Sequence, residues 1–148
     1  MDSRFDSALK KAMTQAAGAG DISKLKQESR TLVLVHAAQG LIDNGGLQYF
    51  FEADFPANPS YEMFVEAYVA IGAKEAAANL ARAVALFPFK NPHLHMKRRN
   101  DFLDSFKDEE GDAIDSPFEP LTRALYGNKQ VWQCLERYVE QHRTALGD

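Results

Sequence analysis

The sequence predicts an all-α fold, a single-domain irregular bundle of about eight helices, and three observations carry that prediction. Apolar residues recur at roughly the 3.6-residue period of one helical face through most of the chain. Glycine, proline and asparagine gather between those periodic stretches, where helices stop. No segment reads as a strand, and no repeat, linker or low-complexity tract divides residues 1–148 into two domains.

Taking the elements in order, Phe5, Leu9, Ala12, Met13 and Ala16 share one helical face, and Gly18-Ala19-Gly20 ends it. Asp21 or Ser23 is placed to cap the next helix. The run Leu32-Val33-Leu34-Val35 has strand-like composition, but its flanks show no turn signal until Asn44-Gly45-Gly46, so length decides for a helix of about 20 residues. Apolar all round, it belongs at the centre of the bundle. Leu47, Phe50, Phe51 and Phe55 mark a short third helix ending at Pro56. Ser60 caps a fourth, whose buried face is Tyr61, Phe64, Val65, Tyr68 and Ile71, with Gly72 as its stop. Ala73, Ala76, Ala77, Leu80, Val84 and Phe87 form the fifth. Residues 93–106 suit a sixth, with Phe102, Leu103 and Phe106 inward and Lys97, Arg98 and Arg99 around the outside. Phe118, Leu121 and Leu125 suggest a seventh, and Val131, Leu135, Tyr138, Val139 and His142 trace the last.

At 148 residues the chain is long enough to bury one core without metal or disulfide staples. Its 45% hydrophobic and 26% charged content excludes the disordered and fibrous classes. One cysteine, Cys134, lies in a strongly helical stretch and reads as a buried inert thiol in a reducing cytoplasm. The start of the chain, Met1 to Asp6, alternates charge with apolar residues, unlike a secretory signal, and no run approaches the roughly 20 apolar residues of a membrane span. A net charge of −4 argues against direct nucleic-acid binding.

The segment Asn44-Gly45-Gly46-Leu47-Gln48-Tyr49-Phe50-Phe51 resembles the Asn-Gly-Gly-x-x-aromatic-Phe signature of a bacterial all-helical family of mostly unknown function that includes a DNA-mimic protein. The likeness extends to Phe64–Gly72, with its Ile71-Gly72-Ala73 ending, and to residues 118–142, so that it covers roughly 30–142. At Leu121-Thr122 the sequence departs from the Leu-Asp pair that the family pattern leads one to expect, which removes a carboxylate. The resemblance implies a helical domain with no established enzymatic activity. In the mimic, surface carboxylates stand in for duplex phosphates and occupy a regulator's DNA-binding face.

The residues offer a place for such a face. Asp101, Asp104, Asp108, Glu109, Glu110, Asp112, Asp115 and Glu119 are set against the single Lys107, a local charge of −7 in a chain of −4, so the remaining residues together carry +3. An acid-rich loop that merely keeps a surface solvated has the same composition. Asp108, Glu110, Asp112 and Glu119 fall at positions 1, 3, 5 and 12 of a calcium loop, but position 6 is Ala113 rather than the turn glycine, and Pro117 and Pro120 follow. His93 and His95, two apart on a helix, diverge, and no metal site is expected; with Lys97, Arg98 and Arg99 they form a modest basic patch. His36 reads as a hydrogen-bonded buried histidine. Turn chemistry alone accounts for Asn44-Gly45-Gly46 as a sharp reversal, although Asn44, Gly45, Gly46, Gln48, Tyr49 and Glu52 can also line a groove.

No nucleophile with a base, no carboxylate pair and no phosphate-cradling loop stands at recognisable spacing, so no catalytic residue and no cofactor is expected. The reading is a non-enzymatic protein-interaction module, a DNA mimic in its sharper form. Its partner is a basic DNA-binding regulator or, if the chain resembles an immunity protein or antitoxin, a toxin. A small-ligand protein or enzyme would instead show a deep pocket around Gln48, Tyr49 and His36.

Overall fold

The apolar stretch that begins at Leu32 becomes the centre of the molecule. A computed structural model describes residues 3–147. It contains α1 (Ser3–Ala19), α2 (Gln27–Glu52), α3 (Tyr61–Ala70), α4 (Lys74–Val84), α5 (Met96–Asp104), α6 (Glu119–Leu125) and α7 (Lys129–Gln141), with 3-10 turns at Ile22–Lys24 and Pro92–Leu94. Helix α2 packs against α1, α3, α5, α6 and α7, and Leu32, Val35, Ala38, Ile42, Leu47, Phe50 and Phe51 along it are fully buried. Met1, Asp2 and Asp148 lie outside the described residues, and with them the first two positions of the charged and apolar N-terminal stretch.

Seven helices are found among the described residues, not eight. The difference lies at Asn44-Gly45-Gly46, predicted as a reversal between two helices. Gly45 and Gly46 leave helical φ/ψ, so α2 is two helices joined directly across a kink with no loop between them, and Leu47–Glu52 is its second part. The other boundaries follow the predicted chemistry. Ser60 Oγ accepts the Met63 N–H and Asn128 Oδ1 those of Gln130 and Val131, caps that each contribute about 1 kcal/mol. Asp21 caps the first 3-10 turn through Ser23 N. Cys134 is buried on α7.

Nine phenylalanines join one ring network, from Phe55 and Phe64 through Phe50, Phe51, Phe87 and Phe118 to Phe89, Phe102 and Phe106. Edge and tilted ring pairs add about 0.5–1.5 kcal/mol each beyond their burial. The cluster ties the second half of α2 to α3, α5 and the start of α6. It therefore fixes the elements that carry the signature and the acids. Among the described residues no helix is long and apolar enough to cross a membrane.

Candidate interaction surface

The glycine pair and the acidic stretch, remote in sequence, meet at one small cavity. Gly46 has φ +73° and ψ −169°, backbone that side chains rarely adopt, and a Cβ there would lie 2.8 Å from the Thr122 methyl carbon. Gly45 has φ −156°, so its glycine is a matter of space: a Cβ would fall 2.2 to 2.5 Å from three ring atoms of Tyr49. The Tyr49 ring thus rests on Gly45 while 49% of the residue stays exposed. Thr122 Oγ1 accepts the Leu47 N–H at 3.4 Å, so α6 serves the first free donor after the kink. The departure from Leu-Asp is therefore a hydroxyl aimed at the kink.

Gly45, Gly46 and Gln48 border a cavity of about 110 Å³ together with Lys107, Ala113, Ser116, Glu119 and Thr122. That is well below the roughly 300 Å³ at which small-molecule sites begin. Gln48 Nε2 donates to Glu52 Oε1 at 2.6 Å, and Asn44 is exposed. His36 sits elsewhere: half-buried, its ring meets Trp132 edge-on at 5.8 Å rather than making the predicted hydrogen bond.

The acidic stretch folds back on itself. Asp108 N–H donates to Asp112 O at 2.8 Å and Ile114 N–H to Phe106 O at 2.7 Å, flanking the Lys107–Ala113 bridge. Asp108 Oδ1 accepts the N–H groups of Glu110 and Asp112, both at 2.9 Å, so an acid organises the turn. The carboxylates of Asp108, Glu110 and Asp112 come within 4.8 Å of one another. These occupy positions 1, 3 and 5 of the calcium-loop spacing; Glu119, at position 12, borders the kink cavity and is not part of that group. Asp101 and Asp104 lie on α5, bridged to Lys97 at 2.7 Å and Lys107 at 3.1 Å.

Arg99 corrects the outward basic patch. Its side chain is fully buried beneath the end of α2. Nε donates to Phe51 O at 2.7 Å, Nη1 to Pro92 O and His93 O at 2.8 and 3.1 Å, and Nη2 to Ala53 O at 3.4 Å and Asp54 Oδ1 at 2.7 Å. A guanidinium is the side chain whose fork matches so many acceptors. Lys97 and Arg98 remain exposed, Arg98 lying 4.2 Å above the Phe89 ring.

A second polar cluster escaped the sequence reading. Gln39, fully buried, donates through Nε2 to Asp43 Oδ1 and Leu125 O, both at 2.8 Å, and accepts the Tyr68 hydroxyl at 2.9 Å. Asp43 also accepts Trp132 Nε1 and Gly127 N, each at 2.8 Å. The network bolts α2 to α3, α6 and α7. Its one signal in the sequence is a polar pair at i, i+4 on an otherwise apolar helix.

A family model described as DMP19-like protein matches residues 23–142. The chain belongs to the DMP19-like family. No curated protein and no solved structure matches it. The DMP19-like region runs from the first 3-10 turn past the end of α7, so it takes in the kink, the Arg99 clamp, the Gln39 network and all eight acids. It leaves out the whole of α1.

Within that DMP19-like region burial moves several protons. Desolvation lowers the pKa of His36, and also of His93, where Glu62 opposes it. Desolvation pushes Tyr61 up to about 12, with Arg99 pulling the other way. The Tyr68 hydroxyl, deeper still, is also raised, first by burial and then by Asp43. Among the described residues, Asp108, Glu109, Glu110, Asp112, Asp115 and Glu119 have no Lys or Arg nitrogen within 4.0 Å.

Proposed function

We propose that this DMP19-like chain is a protein-interaction module, a DNA mimic whose anionic face meets the basic DNA-contacting surface of another protein. The face comprises Asp101 and Asp104 on α5, Asp108, Glu109, Glu110, Asp112 and Asp115 on the folded loop, and Glu119 at the start of α6. The observation that carries the reading is that, among the described residues, six of these eight acids have no Lys or Arg nitrogen within 4.0 Å. Uncompensated carboxylates on a folded loop hold a fixed negative field of the kind that a phosphate-binding surface recognises. Family membership agrees with it. Gly45, Gly46 and Gln48 border the kink cavity beside Glu119, and in this reading they extend the rim of the face together with Asn44, Glu52 and the exposed Tyr49 ring.

The test is affinity capture on the immobilised chain at low salt, beside the variant D108K/E109K/E110K. A basic nucleic-acid-binding protein should be retained by the first and not by the second, and should elute as ionic strength rises. A retained partner indifferent to both salt and charge reversal overturns the proposal. A toxin in its place would assign the same face to an immunity role.

A further inference from the structure

Away from the acidic face, a cleft of about 240 Å³ opens where the end of α1, the middle of α2 and the loop after α2 meet. Leu34 and Pro59 lie buried at its floor, and the half-buried Val33 and Phe55 form its walls. The space exists because α1 and α2 face each other there through small residues, Ala16, Ala17 and Gly20 on one side and Ala37 on the other. None of the side chains that line it carries a charge, a hydroxyl or an amide.

Both sides of the cleft are anchored. The buried Ser29 donates through Oγ to Gln15 Oε1 at 3.0 Å and holds the end of α1 against α2. On the loop, Asn58 N donates to Phe55 O at 2.9 Å, and Ala57 and Asn58 take left-handed backbone with φ 63° and 46°. Alanine adopts that conformation only where its surroundings impose it, and strain of this kind gathers where chains clamp ligands. Phe55 is held in turn by Phe64, with 4.9 Å between ring centres. Walls so anchored do not relax into the apolar space between them.

Size and lining define what fits. An apolar cavity of roughly 150 Å³ takes up benzene, and drug-sized ligands need roughly 300 Å³ or more. The cleft, at about 240 Å³, lies between the two and suits one ring with a small substituent. An ionised ligand loses its hydration there with no side chain to replace it. The surroundings argue against a protein: among the described residues, Met13 is the one large exposed apolar side chain that borders the cleft. A stable protein contact needs a patch of about 800 Å² on each side.

We infer that this cleft binds a small uncharged aromatic molecule, a single substituted ring seated against Phe55 between α1 and α2, with the flexible Met13 at its mouth. Half of the lining, from Met13 to Ile22, precedes the residues matched by the family model, and none of it belongs to the acidic face. The site therefore stands apart from the function proposed above.

Toluene, titrated into the whole chain and followed through methyl resonances, tests it, because an aromatic ring displaces the signals of the methyls it lies against. Val33, Leu34 and Ala37 should shift saturably, and melting temperature should rise by about 3–6 °C at free toluene roughly tenfold above its Kd. Benzoate, the same ring bearing a charge, should bind about tenfold more weakly or worse. Ala37→Leu and Ala16→Leu each put a larger side chain into the cleft at little cost in helix propensity, and each should abolish the response while melting no lower than the parent. Ala16→Leu decides the matter if the change in α2 unfolds the chain. Val69→Ala, on the exposed side of α3, should leave binding unchanged. Toluene that moves none of the three methyls, binds the filled variants as tightly as the parent, or binds no better than benzoate overturns the inference. Shifts of the same methyls that grow with protein concentration alone, marking a second copy in the cleft, overturn it as well.

Discussion

Replacing Arg99 with methionine removes the clamp that holds the end of α2 to the turn before α5. The parent side chain supplies donors to four backbone carbonyls and to Asp54. Methionine fills a similar volume, so the cavity cost is small, and Asp54, with its side chain 47% exposed, can return to water. The loss falls on the carbonyls. Phe51 O and Pro92 O, at 2.7 and 2.8 Å, lose good charge-assisted bonds, while Ala53 O and His93 O, at 3.4 and 3.1 Å, lose weaker ones. At about 1–3 kcal/mol per acceptor left unserved, and with partial rehydration, the total comes to about 3–5 kcal/mol. Against a domain stability of about 5–15 kcal/mol this is severe, and it corresponds to a melting temperature lower by roughly 6–20 °C. Urea unfolding followed by circular dichroism measures it. Arg99→Lys should recover only part, since one ammonium cannot span the same acceptors. Arg98→Met, on the exposed side, should cost less than about 1 kcal/mol. Equal losses for Arg99→Met and Arg98→Met would refute the reasoning.

Further expectations concern the kink, the second network and pH. Gly46→Ala should destabilise by about 2–4 kcal/mol through its backbone and the Thr122 methyl. Adding Thr122→Ser, which keeps the hydroxyl acceptor, should return the steric share, and strict additivity in that double-mutant cycle would contradict the contact. Gln39→Leu strands the Tyr68 hydroxyl and Leu125 O and should cost about 2–4 kcal/mol in denaturant titration. His36 and His93 resist protonation when folded, whereas the unfolded chain accepts it near 6.5. Stability should therefore fall as pH drops through that value toward the lower folded values, and His36→Gln should flatten that limb. On the alkaline side the unfolded tyrosines ionise near 10 while Tyr61 holds its proton to about 12, so melting temperature should fall above pH 10. A flat profile on either side would contradict the burial of those rings.

Periodicity and caps made most of the helices legible, because apolar stripes and residues such as Ser60 and Asn128 act locally. Two misreadings share a physical cause. Asn44-Gly45-Gly46 has the composition of a loop between helices, and its break in helical φ/ψ is there, but the two helices join with no loop between them, and the Tyr49 and Thr122 side chains fill the space beside the pair. Arg99 sits in a run of three cations, and only the free carbonyls at the end of α2 pull it inward while Lys97 and Arg98 stay out. Of the candidate face, the charge was legible, and so was the spacing that gathers Asp108, Glu110 and Asp112. That Gly45, Gly46 and Gln48 share a cavity with Glu119 was not, since no local pattern encodes which helix ends converge. Gln39 and Asp43 were overlooked because their partners, Tyr68, Leu125, Gly127 and Trp132, are spread over three other elements.

The central claim is that the acids of residues 101–119 take the place of duplex DNA on a partner's surface. Competition measures this directly: labelled duplex bound to the purified partner is titrated with the parent chain and with D108K/E109K/E110K. The parent should displace the duplex, with less effect as salt rises, and the variant should not. Simultaneous binding of chain and duplex to the partner, or equal displacement by the variant, would contradict the account.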